Sequence, residues 1–314
     1  MRIAVLSGKG GTGKTLVSVN LAAVLGNNVS YVDCDVEEPN GRLFFKPADV
    51  SDTAVSVKIP VVDSGLCNGC RKCVSFCKFN ALAIIKDKVL VFEEVCHSCG
   101  GCELLCPQKA ISEKDRVIGK IEAGRSGDVN VFTGILNTGE VSGVPVIRKL
   151  LEMTGDDATC EQSPAKGGGD VVIDCPPGCA CVVMESIRDA DFCILVAEPT
   201  IFGVHNLNMV YDLVSMFGKK FGVVLNKCLD DGSENPAETF CNEHGINIVG
   251  RIPFSKELGL INSNGDIISR VNDSYKELFA GILDNVKRDL DKDLNRDLNK
   301  DLNKEVQNEA ASNS

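Results

Sequence analysis

The stretch "LSGKGGTGKTLVS", residues 6–18, follows a short apolar segment and precedes a longer amphipathic one. It contains the phosphate-binding pattern G-x-x-x-x-G-K-[ST], which carries meaning only between a strand and a helix. The segment "RIAVL" at 2–6 predicts the strand, and "LVSVNLAAVLG" at 16–26 predicts a helix that ends at Gly26. This arrangement predicts an α/β protein whose loop binds a nucleotide.

The loop supplies both backbone and side-chain contacts for phosphate. Glycine-rich turns let backbone N–H groups converge on phosphate oxygens, and the N-terminus of the following helix adds its positive end. Lys14 is predicted to neutralise the β- and γ-phosphates, and Thr15 to ligate Mg²⁺. The predicted nucleotide-contacting residues of the loop are Gly8, Gly10, Gly11, Thr12, Gly13, Lys14 and Thr15.

The bulk composition narrows the class of protein further. The chain has 314 residues, a net charge of −11 and 16 cysteines, and it begins without a signal-peptide pattern. The net charge argues against a nucleic-acid-binding surface, and apolar runs such as "DFCILVA" at 191–197 are far too short to span a bilayer. Many cysteines without a secretory signal indicate metal binding in a reducing compartment. We therefore expect a cytoplasmic protein with no nucleic-acid or membrane partner.

Half of the cysteines form two runs of identical C-x2-C-x2-C-x3-C spacing, the second followed by Pro107. This is the spacing of bacterial ferredoxins with two 4Fe–4S clusters, in which the fourth cysteine of each run ligates the other cluster. Zinc is the alternative, because zinc ribbons also use C-x2-C pairs, but the doubled run favours iron–sulfur. The predicted ligands are Cys67, Cys70, Cys73 and Cys106 for cluster one, and Cys96, Cys99, Cys102 and Cys77 for cluster two.

A second lysine in the loop gives the chain a family resemblance. "KGGTGKT" at 9–15 is the deviant Walker A pattern, and here the chain resembles the MinD/ParA family of P-loop ATPases, which includes the nitrogenase iron protein. The resemblance implies an ATP-dependent homodimer in which Lys9 reaches across to the partner's phosphates. It also implies that Asp35 in "VDCDVEEPN" and Asp174 in "GGDVVIDCPPG" organise Mg²⁺ and the attacking water. The implied catalytic residues are Lys9, Lys14, Asp35 and Asp174.

Two further positions match the same family pattern. Asn226 in "FGVVLNK" corresponds to the asparagine that reads adenine, and Pro253 in "GRIPFS" to the segment that flanks the base. The turn Pro176-Pro177-Gly178 is expected to place an amide where it senses the γ-phosphate. These motifs occur along the chain in the order that the family requires.

Both cysteine runs lie between the two predicted Mg²⁺ aspartates, so the ferredoxin is predicted to be an insertion. Residues 1–58 and 117–286 are expected to form a discontinuous ATPase domain with a doubly wound, mainly parallel sheet. Residues 59–116 are expected to form a small α+β domain with two 4Fe–4S clusters, and 287–314 a charged low-complexity tail that is a solvated, fraying helix or disordered. The chain resembles the branch of MinD-superfamily ATPases with an inserted ferredoxin domain, over roughly residues 1–285.

Seven of the eight remaining cysteines divide into two groups. Cys34, Cys193, Cys228 and Cys241 lie in apolar surroundings and are expected to be small core residues. Cys175, Cys179 and Cys181 crowd the turn after Asp174, where the alternatives are ordinary packing or an exchangeable cluster at a dimer interface.

The combined motifs predict an Mg-ATP-dependent homodimeric switch. ATP binding and hydrolysis would gate electron transfer through the two clusters to a redox partner protein. One alternative is an iron–sulfur scaffold or carrier that hands clusters to apoproteins. A second alternative is a spatial organiser like the plasmid-partition ATPases.

Overall fold

The computed structural model describes residues 1–86, 88–154, 169–229 and 235–312, with side chains described as far as residue 292. Eleven strands are found in this part of the chain, nine of them in one sheet. The strands are β1 (Arg2–Leu6), β2 (Val29–Asp33), β3 (Ala48–Val62), β4 (Leu82–Ile85), β5 (Lys88–Val91), β6 (Ile111–Ser126), β7 (Val129–Leu136), β8 (Asp170–Asp174), β9 (Phe192–Ala197), β10 (Phe221–Cys228) and β11 (Ile248–Pro253).

The helices of the described residues connect these strands or cover the sheet. They are α1 (Lys14–Leu25), α2 (Gly41–Phe45), α3 (Lys72–Phe76), α4 (Gly101–Leu104), α5 (Val144–Glu152), α6 (Cys181–Ile187), α7 (Ile201–Met216), α8 (Pro236–Glu243), α9 (Lys256–Ser263), α10 (Ile268–Val271) and α11 (Asp273–Ser312). A 3-10 turn spans Glu93–Val95.

The large sheet has the order β11-β10-β9-β1-β8-β2-β7-β6-β3. Neighbouring strands are parallel from β11 to β7, and β6 and β3 continue the sheet in antiparallel fashion. The predicted mainly parallel α/β sheet is confirmed, as are the predicted strand and helix on either side of the loop, which are β1 and α1. Gly26 ends α1 with a positive φ of 71° and an N–H bond to the Ala22 carbonyl.

Apolar cores cover both faces of the sheet. Its central strands are buried on both sides and are therefore continuous apolar runs such as "FCILVA" in β9. On one face, Leu21 of α1 and Phe279 of α11 belong to the core. On the other face, Ile147 of α5 and Val210 of α7 do the same. The sheet is thus doubly wound, and the carboxyl ends of β1, β2 and β8 meet at one edge.

A long antiparallel ribbon leaves the edge of the sheet. Residues 119–126 of β6 pair with β7, whereas the outer part of β6 pairs with β3 alone, as far as Ile111 opposite Val62. Both strands pass through the predicted domain boundaries at 58/59 and 116/117 without interruption. Residues 63–110, which contain both cysteine runs, are carried at the outer end of this ribbon around a small core of Cys73, Leu82 and Ile111.

The C-terminal helix α11 continues through position 287, where the charged tail was predicted to begin, and ends at Ser312. Its first turns pack on the sheet through Phe279, Ile282 and Leu283, and Leu290 still touches that core. In the part of the chain that the structure describes, no helix combines the length and apolarity needed to cross a membrane.

Candidate functional site

The phosphate-binding loop joins β1 to α1, and its backbone requires glycine. Gly11 and Gly13 adopt φ values of 80° and 101°, a region that side chains disfavour. A Cβ atom on Gly13 would also lie 2.2 Å from the amide nitrogen of Asn226. The helix begins at Lys14, immediately after this turn. The sequence therefore sets a left-handed turn that delivers the helix N-terminus to the loop.

Three hydrogen bonds from side chains to backbone carbonyls fix the conformation of the phosphate-binding loop. The Ser7 hydroxyl donates to the Lys9 carbonyl at 2.8 Å, and the Asn226 amide donates to the Thr12 carbonyl at 2.7 Å. The Lys227 ammonium donates to the Gly11 carbonyl at 3.1 Å. With these carbonyls bound to protein donors, the shape of the loop is set before a ligand arrives.

A cleft of ≈ 420 Å³ lies beside the loop, within the range of about 300–1,000 Å³ that small-molecule sites occupy. Gly11, Gly13, Lys14 and Thr15 form one wall, and Asn262 is among the residues opposite. Two predicted base-contacting residues do not line this cleft. The Asn226 side chain is 2% exposed beneath the loop, and Pro253 ends β11 beside Cys228.

The two predicted Mg²⁺ aspartates stand near Lys14. Asp174 ends β8 and is buried, and burial raises its pKa, while the Lys14 charge and the Thr15 hydroxyl oppose the rise. Asp35 is half-buried, and burial raises its pKa to about 6 against the Lys14 charge, with Asp174 adding to the rise. The structure thus brings Lys14, Thr15, Asp35 and Asp174 together.

One oxygen of Asp174 is available to a cation. The Tyr31 hydroxyl donates to Oδ2 of Asp174 at 3.0 Å, whereas Oδ1 is buried and has no hydrogen-bond partner among the described residues. A buried, unpaired carboxylate oxygen is costly. The oxygen donors of Asp174, Asp35 and Thr15 suit Mg²⁺, which prefers a few carboxylates together with water and phosphate oxygens.

Sequence reasoning missed two residues of this site. Tyr31 is fully buried in β2 and contacts Asp174. Asp33 ends β2 opposite Asp174 in the sheet register. Its carboxylate accepts from the Gly41 amide at 2.8 Å and from the Asp35 amide at 3.2 Å. The one available signal was that Tyr31 and Asp33 are polar residues, like Ser30, in the short strand "VSYVD", which is buried along its whole length.

Lys9 faces its own protomer in this structure. Its side chain is about half exposed, and Nζ lies 3.8 Å from Oε2 of Glu198. Glu198 also binds Lys227. The Gly178 amide, which was expected to sense the γ-phosphate, donates to the Ser7 carbonyl at 2.9 Å. Neither Lys9 nor Gly178 is among the described residues that line the cleft.

The eight cysteines of the two runs line two separate cavities. Cys67, Cys70, Cys73 and Cys106 line the first; Cys77, Cys96, Cys99 and Cys102 line the second. Each cavity therefore takes three cysteines from one run and the fourth cysteine of the other run. The structure brings together the same two sets of four that the spacing predicts.

The first cavity lies at the outer end of the ribbon, beside Val62 and Ile111. The second lies beside Pro60 and Glu113. Because a strand rises about 3.3 Å per residue, the second cavity is roughly 7 Å nearer the large sheet.

The thiols of each set face one another. Burial raises the pKa of Cys73, and the neighbouring Cys67 and Cys70 add to the rise. Burial likewise raises the pKa of Cys96, with contributions from Cys77 and Cys99, so that one pair crosses between the runs. Among the described residues, no group of three or more His, Cys, Asp or Glu side chains is arranged around a single metal ion. Four thiols around a cavity match the donor set of a 4Fe–4S cluster and also the Cys₄ set of a structural zinc site.

A backbone hydrogen bond reaches the fourth sulfur of each run. The Ala81 amide lies 3.4 Å from Sγ of Cys77, and the Ala110 amide lies 3.3 Å from Sγ of Cys106. Both bonds join residue i+4 to residue i. The two runs are thus related by local pseudo-symmetry in hydrogen bonding as well as in spacing.

The other cysteines are mostly core residues. Cys34, Cys193 and Cys241 are fully buried, and Cys228 packs at the edge of the same core, as expected. Cys175 also belongs to this core with no exposed surface, which removes it from an interface cluster. Cys181 is exposed and Cys179 is partly buried.

The fold and the loop define a nucleotide-binding protein of the P-loop class. The family model of the CobQ/CobB/MinD/ParA nucleotide binding domain matches residues 3–268, and the chain belongs to this family. It is 30% identical over 283 residues to the uncharacterized protein MJ0578 of Methanocaldococcus jannaschii, a match that covers 89% of this chain and 95% of that protein. Protein MJ0579 of the same organism is 28% identical over 230 residues, which is 72% of this chain and 80% of that protein.

Solved structures show the same fold. The cell division ATPase MinD of Pyrococcus furiosus superposes with a TM-score of 0.55 at 17% identity, covering 91% of this chain and 98% of that one. MinD of Pyrococcus horikoshii, solved with Mg-ADP, gives 0.53 at 18% identity, covering 91% and 95%. A short match of 45 residues at 40% identity links the chain to one component of an ion-translocating oxidoreductase complex of Methanosarcina acetivorans, over 14% of this chain and 17% of that component.

Proposed function

We propose that this protein is an Mg-ATP-dependent homodimeric ATPase that couples ATP binding and hydrolysis to electron transfer through two 4Fe–4S clusters. One observation carries the proposal: two cavities, each lined by four cysteines combined across the runs. They are attached to a P-loop nucleotide-binding fold by a continuous two-stranded ribbon. Coupling between the nucleotide site and the cysteine cavities would explain why one protein contains both.

ATP would occupy the cleft beside the loop, with Lys14 against the β- and γ-phosphates. Thr15, Asp35 and Asp174 would hold Mg²⁺ and its water molecules, and Oδ1 of Asp174 is the oxygen still without a partner among the described residues. Phosphoryl transfer needs positioning and charge stabilisation more than covalent chemistry. The buried carboxylates and Lys14 supply both, and no nucleophilic side chain is required.

Dimerisation would move Lys9 from its own Glu198 to the phosphates of the partner protomer. The Lys9–Glu198 contact is long, at 3.8 Å, and Lys9 is half exposed. Such a pair is worth little in water. The phosphates of a second bound nucleotide would therefore compete successfully for the ammonium group.

The clusters would supply one-electron chemistry, and the chain's own groups would hold and tune them. Cluster one would bind Cys67, Cys70, Cys73 and Cys106, and cluster two would bind Cys77, Cys96, Cys99 and Cys102. Because burial raises the pKa of thiols such as Cys102 to about 11, cluster assembly must release protons. The amides of Ala81 and Ala110 would stabilise charge on one sulfur of each cluster.

A redox partner would dock at the outer end of the ribbon. Arg71 and Lys72 line the cluster-one cavity, and Lys109 lies in sequence between the lining residues Gln108 and Ala110. All three are exposed and form no ion pair with any residue that the structure describes. The chain as a whole carries a net charge of −11. This basic rim would therefore select an acidic electron-carrier protein by charge complementarity.

A cluster carrier is the second candidate, because each set of four includes one exposed thiol, Cys70 or Cys99. An exposed ligand gives an acceptor protein a route to displace the cluster. Incubation with an apo-ferredoxin separates the two functions, since a carrier transfers iron on a timescale of minutes and an electron-transfer protein retains it. A spatial organiser would leave all eight cysteines of the two runs without a role.

Potentiometric titration of anaerobically purified protein, with and without a non-hydrolysable ATP analogue, tests the proposed coupling. Linkage requires nucleotide to shift the reduction potential by the same free energy by which reduction shifts nucleotide affinity. A coupling of about 1.4 kcal/mol corresponds to roughly 60 mV for one electron and a tenfold change in affinity. Lys14→Ala is the control, because weakened nucleotide binding should leave its reduction potentials unchanged when the analogue is added. Two outcomes would contradict the proposal. One is protein that contains zinc, and the other is clusters whose reduction potentials do not change when nucleotide binds.

A further inference from the structure

A short connecting segment, residues 137–143, lies between the candidate Mg²⁺ site and the second cysteine cavity. It begins where β7 ends, and the Leu136 amide donates to the Val36 carbonyl at 2.9 Å. Val36 directly follows Asp35 in sequence. The end of β7 is therefore bonded to the residue beside a predicted Mg²⁺ ligand.

Val36 also packs closely against two glycines, one shortly before this segment and one at its end. A Cβ atom on Gly134 would lie 2.7 Å from one Val36 methyl group, and a Cβ atom on Gly143 would lie 2.5 Å from the other. Val36 is only 2% exposed. Closely packed contacts of this kind do not deform continuously. A shift of Asp35 and Val36 must therefore move the connecting segment with it.

The opposite side of the segment is bonded to the ribbon. Glu140 forms an ion pair with Arg116 at 2.6 Å, and the two side chains are only 8% and 18% exposed. The other Arg116 amino group donates to the Glu93 carbonyl at 2.9 Å. That carbonyl also accepts from the Cys96 amide at 3.3 Å. Cys96, Arg116 and Glu140 line a common cleft.

We propose that the connecting segment transmits nucleotide state from Asp35 to the second cysteine cavity, through the Arg116–Glu140 ion pair and the Glu93 carbonyl. This inference rests on the proposed function and names its route. It makes Arg116 a positioning residue for Cys96 and makes cluster two the nucleotide-responsive cluster. Glu140 of this segment lines a cleft with Cys96, a predicted ligand of cluster two, and none of the four described cysteines of the cluster-one set lines that cleft.

The charge of Arg116 gives the route an electrostatic effect as well as a mechanical one. The Arg116 guanidinium donates to the carbonyl that accepts the Cys96 amide, and both residues line the same cleft. A positive charge near a cluster ligand favours the reduced, more negative state of the cluster. A nucleotide-driven displacement of Glu140 would leave Arg116 without its counter-charge, and cluster two would then be easier to reduce.

Hydrogen–deuterium exchange on the full-length, anaerobically purified protein tests the route without measuring activity. The probe is Mg²⁺ with a non-hydrolysable ATP analogue. In the wild type, nucleotide is expected to protect the loop at 8–15 and to change exchange at 93–98 by about fivefold or more, the lower range of allosteric couplings. In Glu140→Gln, loop protection remains and the response at 93–98 disappears. Asp115→Asn is the matched control, because its ion pair with Lys58 lies on the same ribbon but is more than half exposed.

Arg116→Lys serves as a second variant if Glu140→Gln folds poorly. Lysine keeps the charge but lacks the planar fork that reaches Glu140 and the Glu93 carbonyl together. It is expected to uncouple the response at 93–98 in the same way. A wild-type response at 93–98 in both variants would overturn the route. So would loop protection in the wild type with no response at 93–98.

A redox readout separates this route from the proposed function as a whole. A fivefold coupling corresponds to about 40 mV for one electron, at 59 mV per tenfold, and it is expected for cluster two alone. Equal shifts of both clusters, or a shift of cluster one alone, would overturn the route while leaving ATP-coupled electron transfer intact. Absence of iron from the protein would instead defeat the proposed function.

Discussion

The phenol hydroxyl of Tyr31 lies 3.0 Å from Oδ2 of Asp174, joining neighbouring strands at the carboxyl edge of the sheet. The two residues are 143 positions apart in sequence. Their hydrogen bond occupies one carboxylate oxygen and leaves the other available to a cation. The geometry of the candidate Mg²⁺ ligand therefore depends on a neighbouring strand as well as on its own.

Tyr31→Phe removes that hydrogen bond while preserving the ring. We expect the free energy of unfolding to fall by about 1–3 kcal/mol, because a buried carboxylate oxygen loses its donor. Mg²⁺ affinity in the presence of ATP is expected to fall, whereas nucleotide affinity measured without Mg²⁺ is unchanged. Chemical denaturation and Mg²⁺ titration measure the two effects.

Tyr211→Phe is the control for this substitution, because the Tyr211 ring packs against Phe221 and Phe240, remote from the loop. Equal losses of Mg²⁺ affinity in the two variants would contradict a specific role for the Tyr31 hydroxyl.

Asp35→Asn is expected to stabilise the protein without nucleotide and to abolish its stabilisation by Mg-ATP. Burial raises the pKa of Asp35 to about 6, so ionised Asp35 disfavours the folded state. The shift is worth about 3 kcal/mol at 1.36 kcal/mol per unit, and partial exposure reduces this to about 1–2 kcal/mol.

The pH dependence of this effect has a definite sign. Between about pH 4 and 6 the folded wild type retains a proton that the unfolded chain releases, so wild-type stability falls as pH rises through this window. Asp35→Asn has no ionisable group at this position, so its stability does not fall for this reason. Its advantage should be full at about pH 7.5 and nearly absent at about pH 4 in denaturation experiments. An advantage that does not change with pH would contradict the assignment to Asp35.

Substitutions of the two loop lysines are expected to have different effects on nucleotide binding and dimerisation. Lys14→Ala should weaken nucleotide binding by at least about tenfold, since phosphate loses a charged hydrogen-bond donor. Lys9→Ala should retain binding and lose ATP-driven dimerisation and hydrolysis. Glu198→Gln, which releases Lys9, should dimerise at lower ATP concentration. Size-exclusion chromatography with ATP distinguishes these outcomes, and dimerisation of Lys9→Ala like the wild type would rule out the cross-dimer role.

Substitutions in one cysteine run are expected to damage different clusters. Anaerobically purified protein should hold about eight irons, four per cubane. Cys67→Ser should lose cluster one and Cys77→Ser cluster two, although both belong to the first run. Iron analysis combined with electron paramagnetic resonance distinguishes the two. Cys181→Ser, which lines neither cavity, is the control, and loss of the same cluster in both variants would disprove crossed ligation.

Charge reversal at the outer end of the ribbon should slow electron transfer to an acidic carrier protein. Lys72→Glu combined with Lys109→Glu is expected to lower the association rate about tenfold or more at low salt, with the difference shrinking as ionic strength rises. Stopped-flow kinetics with an acidic ferredoxin measures the rate. Lys46→Glu, on an exposed ion pair with Asp266 in the body of the protein, should leave the rate unchanged.

Sequence alone predicted the local structure around the phosphate-binding loop. The loop could be predicted because Gly8, Gly13, Lys14 and Thr15 lie within one strand-turn-helix unit, where spacing along the chain nearly equals spacing in space. Three cysteines of each set could be predicted for the same reason, since each run folds locally into a loop and one helical turn. The fourth comes from the other run and was assigned from the spacing pattern of two-cluster ferredoxins. The apolar runs of β8, β9 and β10 predicted the parallel sheet, because strands buried on both faces tolerate few polar residues.

Only the tertiary structure decided which distant groups meet. Tyr31 contacts Asp174, Asn226 lies beneath the loop at the Thr12 carbonyl, and Arg116 bridges Glu140 to the Glu93 carbonyl. Such contacts depend on strand order and register, and shifting a strand by one residue would turn each side chain to the other face. A sequence motif records the residues that one local turn requires. Partners across the sheet are specified instead by packing of the whole core, and no short pattern in this chain encodes them.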